Sequence, residues 1–215
     1  MDTFKAYFKK EVLEASRHYR YLVLGIGFVL FAILDPVMLK LMPKMLEGQI
    51  PGDLSTLFAV TVKGSLKNYI DDVYQIGNLF VTLSIMGMIS DEVREKKLVF
   101  PYSKGCSPSG IVVSKTLNYS LCVGIFLIFG LLLNYYYSLL LFNGETVAVA
   151  DVIRAALYLW LYYAFNISMI AFFSSLFRKG IAAGIVSLVV SYFMPLFIRI
   201  DVLSRYLPYA LVNDA

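Results

Sequence analysis

The chain has 215 residues, of which 59% are hydrophobic and 16% are Asp, Glu, Lys or Arg, and its mean hydropathy is +0.72. Soluble domains carry about 25% charged residues, so this composition excludes a soluble globular protein and predicts a polytopic membrane protein. The net charge of +4 is spread over several connecting segments, which favours membrane topology over nucleic-acid binding. Cys106 and Cys122 cannot build a disulfide framework and are expected to be reduced thiols.

Residues 1–20 are predicted to form an amphipathic helix before the first span. On a helix, one side carries an apolar stripe and the other side carries the basic residues. The apolar stripe consists of Phe4, Phe8, Val12, Ala15 and Tyr19, and the basic side of Lys9, Lys10, Arg17 and Arg20. We expect this helix to lie in the headgroup plane with its basic side towards anionic lipid. The simpler alternative is a topogenic segment that only fixes orientation.

Five membrane spans are predicted within residues 21–198, so the expected fold class is all-α, a helical bundle in the membrane. A helix needs about 20 apolar residues to cross about 30 Å of hydrocarbon. The candidate runs are Tyr21–Leu34 with a continuation to Leu39, Val73–Ser90, Leu117–Phe142, Val152–Phe177 and Ile181–Ile198. Pro195 is expected to kink or end the last span. Residues 199–215 are expected to form an extracytoplasmic tail.

The distribution of Lys and Arg predicts the orientation of the bundle. Twelve of the nineteen lie in the N-terminal segment, in residues 91–115 or in the turn after the fourth span. Short cytoplasmic loops carry the excess positive charge, so these segments and the N-terminus are predicted to be cytoplasmic. The turn Asn143–Ala150, which lacks Lys and Arg, is predicted to lie outside. We therefore expect a multi-pass protein of a cell membrane, with the prokaryotic plasma membrane favoured.

A charged connector, residues 91–115, separates the second and third predicted spans. It begins Asp91-Glu92-Val93-Arg94-Glu95-Lys96-Lys97-Leu98 and ends at Ser114-Lys115. An ionised side chain at mid-bilayer costs at least about 2.5–3.5 kcal/mol, so this connector is predicted to face water. Its charge density suits docking onto another protein.

The connector resembles the first cytosolic loop of the ATP-binding-cassette (ABC) type 2 permeases. There, a short charged helix is followed by Leu, a Pro-x-Ser-Lys/Arg element and a Lys that opens the third span. The matching positions are Glu92, Glu95, Leu98, Pro101, Ser103, Lys104 and Lys115. The chain departs from the family at Lys96-Lys97, where Gly-Thr is common, and at Gly105–Gly110, which is slightly longer. Residues 1–20 resemble the elbow helix of these permeases, and Tyr206–Tyr209 resembles an element after their fifth span.

The resemblance implies a permease subunit of an ABC exporter. A separate ATPase subunit would hold ATP and Mg, while this chain would bind no cofactor and no metal. Charged side chains of the connector would set register and on-rate with that ATPase, and Val93, Leu98 and Phe100 would anchor it. The implied ATPase-coupling residues are Glu92, Val93, Arg94, Glu95, Lys96, Lys97, Leu98 and Phe100. A second permease subunit, identical or related, is also implied. The family normally has six spans, and the sixth is expected to be absent from this sequence.

Polar residues inside the spans fall into two stripes. One stripe, on the second span, is Gln75, Asn78 and Thr82, and the other, on the fourth span, is Tyr158, Tyr162 and Asn166. Buried amides hydrogen-bond between helices for about 0.6–2 kcal/mol each, so interhelical bonding is the favoured interpretation. The alternative is that the stripes line a substrate path.

Small residues recur along the fifth span and permit close helix approach. This small-residue seam consists of Gly180, Gly184, Ser187 and Ser191. It could pack inside the chain or across a dimer axis, and it is our candidate dimer interface.

Catalytic patterns are lacking in the sequence. His18 is the only histidine, so no His-based metal site or charge relay can be built, and the chain is predicted not to be an enzyme. Asp35 is interpreted as a helix-end residue at the outer interface, with proton or ion coupling as the alternative. Asp71-Asp72 are predicted to cap the second span. The alternative to a permease is a non-transport membrane protein, an assembly or immunity factor that acts by helix–helix binding.

Overall fold

The structure is a computed structural model, and it describes residues 3–17, 19–46, 60–142, 146–197 and 207–215. All regular secondary structure in these ranges is helical. Five of the helices are long and apolar enough to cross a membrane, which confirms an all-helical, multi-pass architecture. His18, Asn143 to Glu145 and Tyr206 lie outside the described residues.

The N-terminal part consists of α1 (Thr3–Arg17) and α2 (Arg20–Leu46). Tyr19, with φ +56°, stands between them. Helix α2 continues past the predicted end of the first span and contains Pro36 and Pro43. Asp35 therefore lies eleven residues before the end of its helix, and the prediction of a helix-end position is wrong.

The second span begins earlier than predicted. Helix α3 (Val62–Asp72) passes through a π-helical segment (Val73–Gly77) into α4 (Asn78–Ile85). Thr61 caps α3 by accepting a hydrogen bond from the Gly64 N–H. The prediction that Asp71 and Asp72 cap this span is wrong, because both lie inside the continuous helix.

The charged connector contains two short helices, α5 (Ser90–Arg94) and α6 (Val99–Ser103). It then enters α7 (Pro108–Leu141), which begins nine residues before the predicted third span. Ser107 accepts a hydrogen bond from the Gly110 N–H, and Pro108 suits the first turn of a helix. At 1.5 Å per residue, α7 is about 51 Å long and exceeds the hydrocarbon thickness.

Helices α8 (Val149–Leu176), α9 (Gly180–Phe197) and the short α10 (Ala210–Asn213) complete the bundle. Helix α7 is central and packs against α1, α2, α3 and α8, while α9 packs on α8 and α4. The core is rich in tyrosine, with Tyr69, Tyr119, Tyr162 and Tyr163 fully buried. Large apolar side chains cover the outside of the bundle, as expected for contact with lipid.

Candidate functional site

The chain that leads into the charged connector is fixed to the end of the bundle by backbone hydrogen bonds. The N–H groups of Ile89 and Ser90 both donate to the Ser174 hydroxyl on α8, at 3.2 and 3.1 Å. These donors open α5, where backbone N–H groups have no partner within the helix. Helix α5 is therefore capped by a side chain from another membrane-spanning helix.

A buried ion cluster joins α1, α5 and α7. We use this name for Lys10, Glu11, Glu92 and Lys115. The Lys115 ammonium lies 2.7 Å from the Glu11 carboxylate and 3.1 Å from the Glu92 carboxylate. Lys10 also contacts both carboxylates, and the side chains of Glu11, Glu92 and Lys115 are all less than 10% exposed. Three segments that are distant in sequence thus share one set of charges.

The charges of the cluster are balanced, two positive and two negative, and Glu14 adds a carboxylate at its rim, 3.0 Å from Lys10. Partial burial disfavours the charge of Lys10, but the hydrogen bond to Glu92 and the charge of Glu11 outweigh it, so the pKa of Lys10 is raised. Partial burial likewise opposes the charge of Glu14, but the hydrogen bond from Lys10 outweighs it and the pKa of Glu14 is lowered. Lys10 and Glu14, the two partly exposed groups, are thereby held in their charged forms.

Three carboxylates of this region, those of Glu11, Glu14 and Glu92, lie within 4.8 Å of one another. Oxygen ligands at such separations suit a hard cation. Here the ammonium groups of Lys10 and Lys115 occupy the positions between them and supply the positive charge. The arrangement is that of an ion-pair network.

Glu92 was expected to face water, and that expectation is wrong. Its side chain is buried between α1 and α7, and one of its carboxylate oxygens has no hydrogen-bond partner among the described residues. The buried face of α1 also differs from the predicted stripe, because it is centred on Tyr7, Glu11 and Ala15. Lys115 lies 104 residues from Glu11 along the chain and Lys10 lies 82 residues from Glu92, so no local pattern indicates these two pairs. The sequence does hold one sign of this burial: Glu11 is a carboxylate midway between Tyr7 and Ala15 on one face of α1.

Leu98 is buried as well, in a small apolar cluster with Tyr7 and Ile111, against which Cys106 packs. It lies inside the protein and cannot act as an accessible anchor in this conformation. The prediction that Leu98 contacts a partner is therefore not supported by its position. It fixes the connector to α1 and α7 beside the ion cluster.

An exposed apolar patch lies on the outward side of the connector. This loop patch consists of Val93, Val99, Phe100 and Tyr102, which are 59%, 62%, 70% and 45% exposed. Between Val93 and Val99 the sequence carries the predicted coupling residues with exposed, charged side chains: Arg94, Glu95, Lys96 and Lys97. The Lys104 ammonium lies 5.6 Å from the centre of the Phe100 ring. Of the predicted coupling residues, all but Glu92 and Leu98 remain accessible.

The two predicted polar stripes meet in the core. Asn166 on α8 donates to Asn78 on α4, and Asn78 donates to the Tyr162 hydroxyl at 3.4 Å. Ser191 on α9 donates to Asn166 at 3.1 Å. Three helices are thereby joined by side-chain hydrogen bonds, as the favoured interpretation of the stripes expected.

The other members of the stripes are not part of this network in the described structure. Gln75 is exposed, Tyr158 is half-buried, and the Thr82 hydroxyl is buried without a partner among the described residues. None of the six stripe residues lines the three described cavities of about 400, 660 and 670 Å³. A substrate path along the stripes remains a prediction.

Tyrosine hydroxyls from neighbouring helices bind the backbone of the π-helical segment. The Tyr163 hydroxyl donates to the Val73 carbonyl at 2.6 Å, and the Tyr192 hydroxyl donates to the Gln75 carbonyl. Tyr74, within the segment, donates to the Ser191 carbonyl at 3.2 Å. π-Helical turns are rare and occur often at functional sites. The sequence offered no signal for this segment.

A second buried polar group, which the sequence reasoning missed, joins α3 to α7. The Ser138 hydroxyl donates to Ser65 at 2.8 Å, and Ser65 donates to the Asn134 side chain at 3.2 Å. All three side chains are fully buried. Helix α3 is thus bound to α7 near the end of the bundle opposite the connector.

The small-residue seam packs inside the chain. A Cβ atom at Gly180 would lie 2.7 Å from the Gly87 Cα atom, and one at Gly184 would lie 2.9 Å from Met86. Ser187 and Ser191 are also fully buried. These four residues contact the connection between α4 and α5 and the neighbouring helices, so their predicted place in a dimer interface is not met.

Comparison with protein-family models, with curated proteins and with solved structures found no match for this chain.

Proposed function

We propose that the chain is the permease subunit of an ABC exporter, moving a substrate across the membrane with ATP hydrolysed by a separate ATPase subunit. The observation that carries this proposal is the loop patch, an exposed apolar surface at the end of a membrane-spanning bundle. It agrees with the sequence resemblance of the connector to the first cytosolic loop of type 2 permeases. Five helices suited to crossing a membrane provide the body that such a subunit requires.

The loop patch has the composition of a protein-binding site. Two large side chains, Phe100 and Tyr102, project beside Val93 and Val99, and charged residues form a rim around them. Interfaces commonly have buried aromatic anchors and a polar rim, with a few anchors contributing most of the binding energy. Phe100 is the most exposed of the four and is our main anchor. The rim residues Arg94, Glu95, Lys96 and Lys97 would set register and association rate.

Glu92 and Leu98 take a different role in this proposal from the one expected from sequence. Both lie beneath the loop patch, against α1 and α7. A push on the patch would therefore reach α7 through the ion cluster and through the contact between Leu98 and Ile111. They would position the coupling surface and transmit its displacement, while the patch itself contacts the ATPase.

The proposed partners are the ATPase, which would carry ATP and Mg, a second permease subunit and membrane lipid. Since the small-residue seam is internal, the second subunit would contact the outward apolar faces of α2 and α9. On α9 this face includes Ile181, Ile185, Phe193 and Leu196, each more than half exposed. Lipid would cover the rest of the apolar outer surface.

The test is to replace Val93 and Phe100 by Ser in the full chain and to purify it, tagged, from its own membrane. We expect loss of a co-purifying ATP-hydrolysing subunit and of the ATP hydrolysis measured in the complex. Leu13→Ser on α1 is the matched control, because Leu13 is also an exposed apolar residue but lies outside the loop patch. It should retain the ATPase.

An unchanged yield and activity of the ATPase in the Val93→Ser, Phe100→Ser variant would refute the coupling role. Trypsin sensitivity of the connector should be measured in parallel, to show that the loop keeps its fold. If no ATP-hydrolysing subunit accompanies even the unaltered chain, the non-transport alternative, a membrane protein acting by helix–helix binding, would take its place.

A further inference from the structure

A cavity of about 660 Å³ lies at the end of the bundle opposite the connector. Its walls are formed by α3, α7, the start of α8 and the segment 207–215, which contains α10. Lys63, near the start of α3, and Asp151, near the start of α8, line the cavity and are exposed. Pockets that bind small molecules have volumes of about 300–1,000 Å³, so this cavity is large enough for such a ligand.

Part of the lining is apolar and buried. It includes Leu66 and Ile70 on α3, Leu131 on α7, and Val152 and Ala155 on α8. Buried apolar side chains normally pack closely, with few voids larger than a water molecule. Apolar groups of a ligand in this cavity would be removed from water, which favours binding.

The exposed residues that line the cavity carry charges of both signs. On α3, Lys63, Lys67 and Asp71 follow one another at intervals of four residues. Side chains four residues apart are neighbours on a helix, so the two ammonium groups can bind one anion together. Asp151 on α8 and Asp214 after α10 belong to other walls. Lysine suits phosphate as a compact positive charge, and carboxylates suit an ammonium group.

We propose that the cavity binds an amphiphile whose head carries a phosphate and an ammonium group and whose tail is apolar. Lys63 and Lys67 bind the phosphate. Asp214 binds the ammonium group, with a contribution from Asp151, which also contacts the exposed Arg154 at 3.3 Å. The tail lies against the buried apolar lining. This site does not depend on the proposed transport function.

The segment 207–215 links the cavity to the π-helical segment. Val212 lines the cavity and is buried. Tyr209 lines it as well, and the centre of its ring lies 4.9 Å from that of Tyr74 in the π-helical segment. A ligand that contacts Val212 and Tyr209 favours the placement in which this segment forms a wall of the cavity. Binding should therefore stabilise the contact between Tyr209 and Tyr74.

The experiment measures binding of short-chain probes to the full chain in detergent micelles by isothermal titration calorimetry. The main probe is dihexanoyl phosphatidylethanolamine, which has the phosphate, the ammonium group and apolar tails. Dihexanoyl phosphatidylglycerol lacks the ammonium group, and free phosphoethanolamine lacks the tails. We expect each of these two to bind at least about tenfold more weakly, because a charge-assisted hydrogen bond or the apolar burial is lost. Amide exchange in residues 207–215 should slow with the main probe.

Variants of the lining test where the main probe binds. Lys63→Gln combined with Lys67→Gln should weaken its binding about tenfold or more, and both lysines are exposed, so the fold should be kept. Lys40→Gln is the matched control, because it removes an exposed lysine of α2 that does not line the cavity, and it should bind as the unaltered chain does. Ala155→Phe should fill the apolar part and exclude the tails, with its thermal stability measured in parallel.

Three results would overturn the proposal. Equal binding of phosphatidylethanolamine and phosphatidylglycerol would show a site for anionic amphiphiles without an ammonium contact. Equal binding of free phosphoethanolamine would show a headgroup site that takes no tail. Binding of the main probe that is unchanged in the double lysine variant would place the probe outside the cavity.

Discussion

Replacing Lys115 by Met should release the connector from the bundle, because Lys115 bridges both buried carboxylates of the ion cluster. Without it, Glu11 and Glu92 are left with Lys10 alone, and one negative charge is uncompensated in a buried site. Removing one partner of a buried ion pair typically costs about 3–5 kcal/mol. We expect a loss of that size in the free energy of unfolding in detergent micelles.

The matched control is Arg94→Met, which breaks the exposed pair between Arg94 and Asp91, 3.2 Å apart. Exposed pairs contribute about 0–1 kcal/mol, so this variant should unfold almost as the unaltered chain does. Limited trypsin digestion gives a second measurement, because faster cleavage after Lys96 and Lys97 would report release of the connector. A loss below about 1 kcal/mol in Lys115→Met, the range of exposed pairs, together with unchanged cleavage, would refute the view that the ion cluster fixes the connector.

Three further predictions concern packing, the π-helical segment and pH. Gly180→Ala should lower the stability of the single chain by about 1–3 kcal/mol, because its Cβ atom would overlap the Gly87 backbone. The control, Gly27→Ala, should not, because a Cβ atom there meets only Phe80 carbons at 4.0 Å. Equal thermal stabilities of the two variants would contradict the internal position of the small-residue seam. Tyr163→Phe should cost about 0.5–1.5 kcal/mol by removing one buried hydrogen bond to the Val73 carbonyl, which still accepts from the Asn78 N–H, and should speed amide exchange in the π-helical segment. The contact of α1 with the connector should weaken at both ends of the pH range. The pKa of Glu14 is lowered, so the contact should weaken as pH falls below the ordinary Glu value of 4.5. The pKa of Lys10 is raised, so the contact should also weaken as pH rises beyond the ordinary Lys value of 10.5. Between these limits tryptic release of the connector should not vary with pH.

The membrane spans were predictable to the extent that they are uniformly apolar. Helices α8 and α9 begin within three residues of their predicted starts. Helix α3 was missed because only one of its faces is buried, while Lys63, Lys67 and Asp71 point outward, so its sequence reads as a polar connection. The early start of α7 had a readable signal in Ser107-Pro108, an N-cap residue followed by a proline at the first helical position.

The candidate site was less predictable, for a physical reason. A charged segment is predicted to be exposed to solvent unless the residues that neutralise its charges are known. For Glu92 these residues are Lys10 and Lys115. Burial of a charge depends on such distant partners, and a single sequence contains no information on which residues meet. The same applies to Asn78 and Asn166. Each was identified as polar on its own helix, but their contact depends on the relative rotation and register of α4 and α8.

The length of α7 makes it a lever. About 39 Å of helix separates Lys115, at the ion cluster, from Leu141 at the other end, at 1.5 Å per residue. A tilt of about 5° around the ion cluster would therefore move that far end by about 3 Å, more than the 1–2 Å helix shifts that accompany many conformational switches. The hydrogen bonds of Asn134 and Ser138 to Ser65 lie along the far arm, so α3 would have to follow. If the bundle transmits such a tilt, a small displacement near the ion cluster would be enlarged at the far end of α7, without any change inside the helix itself.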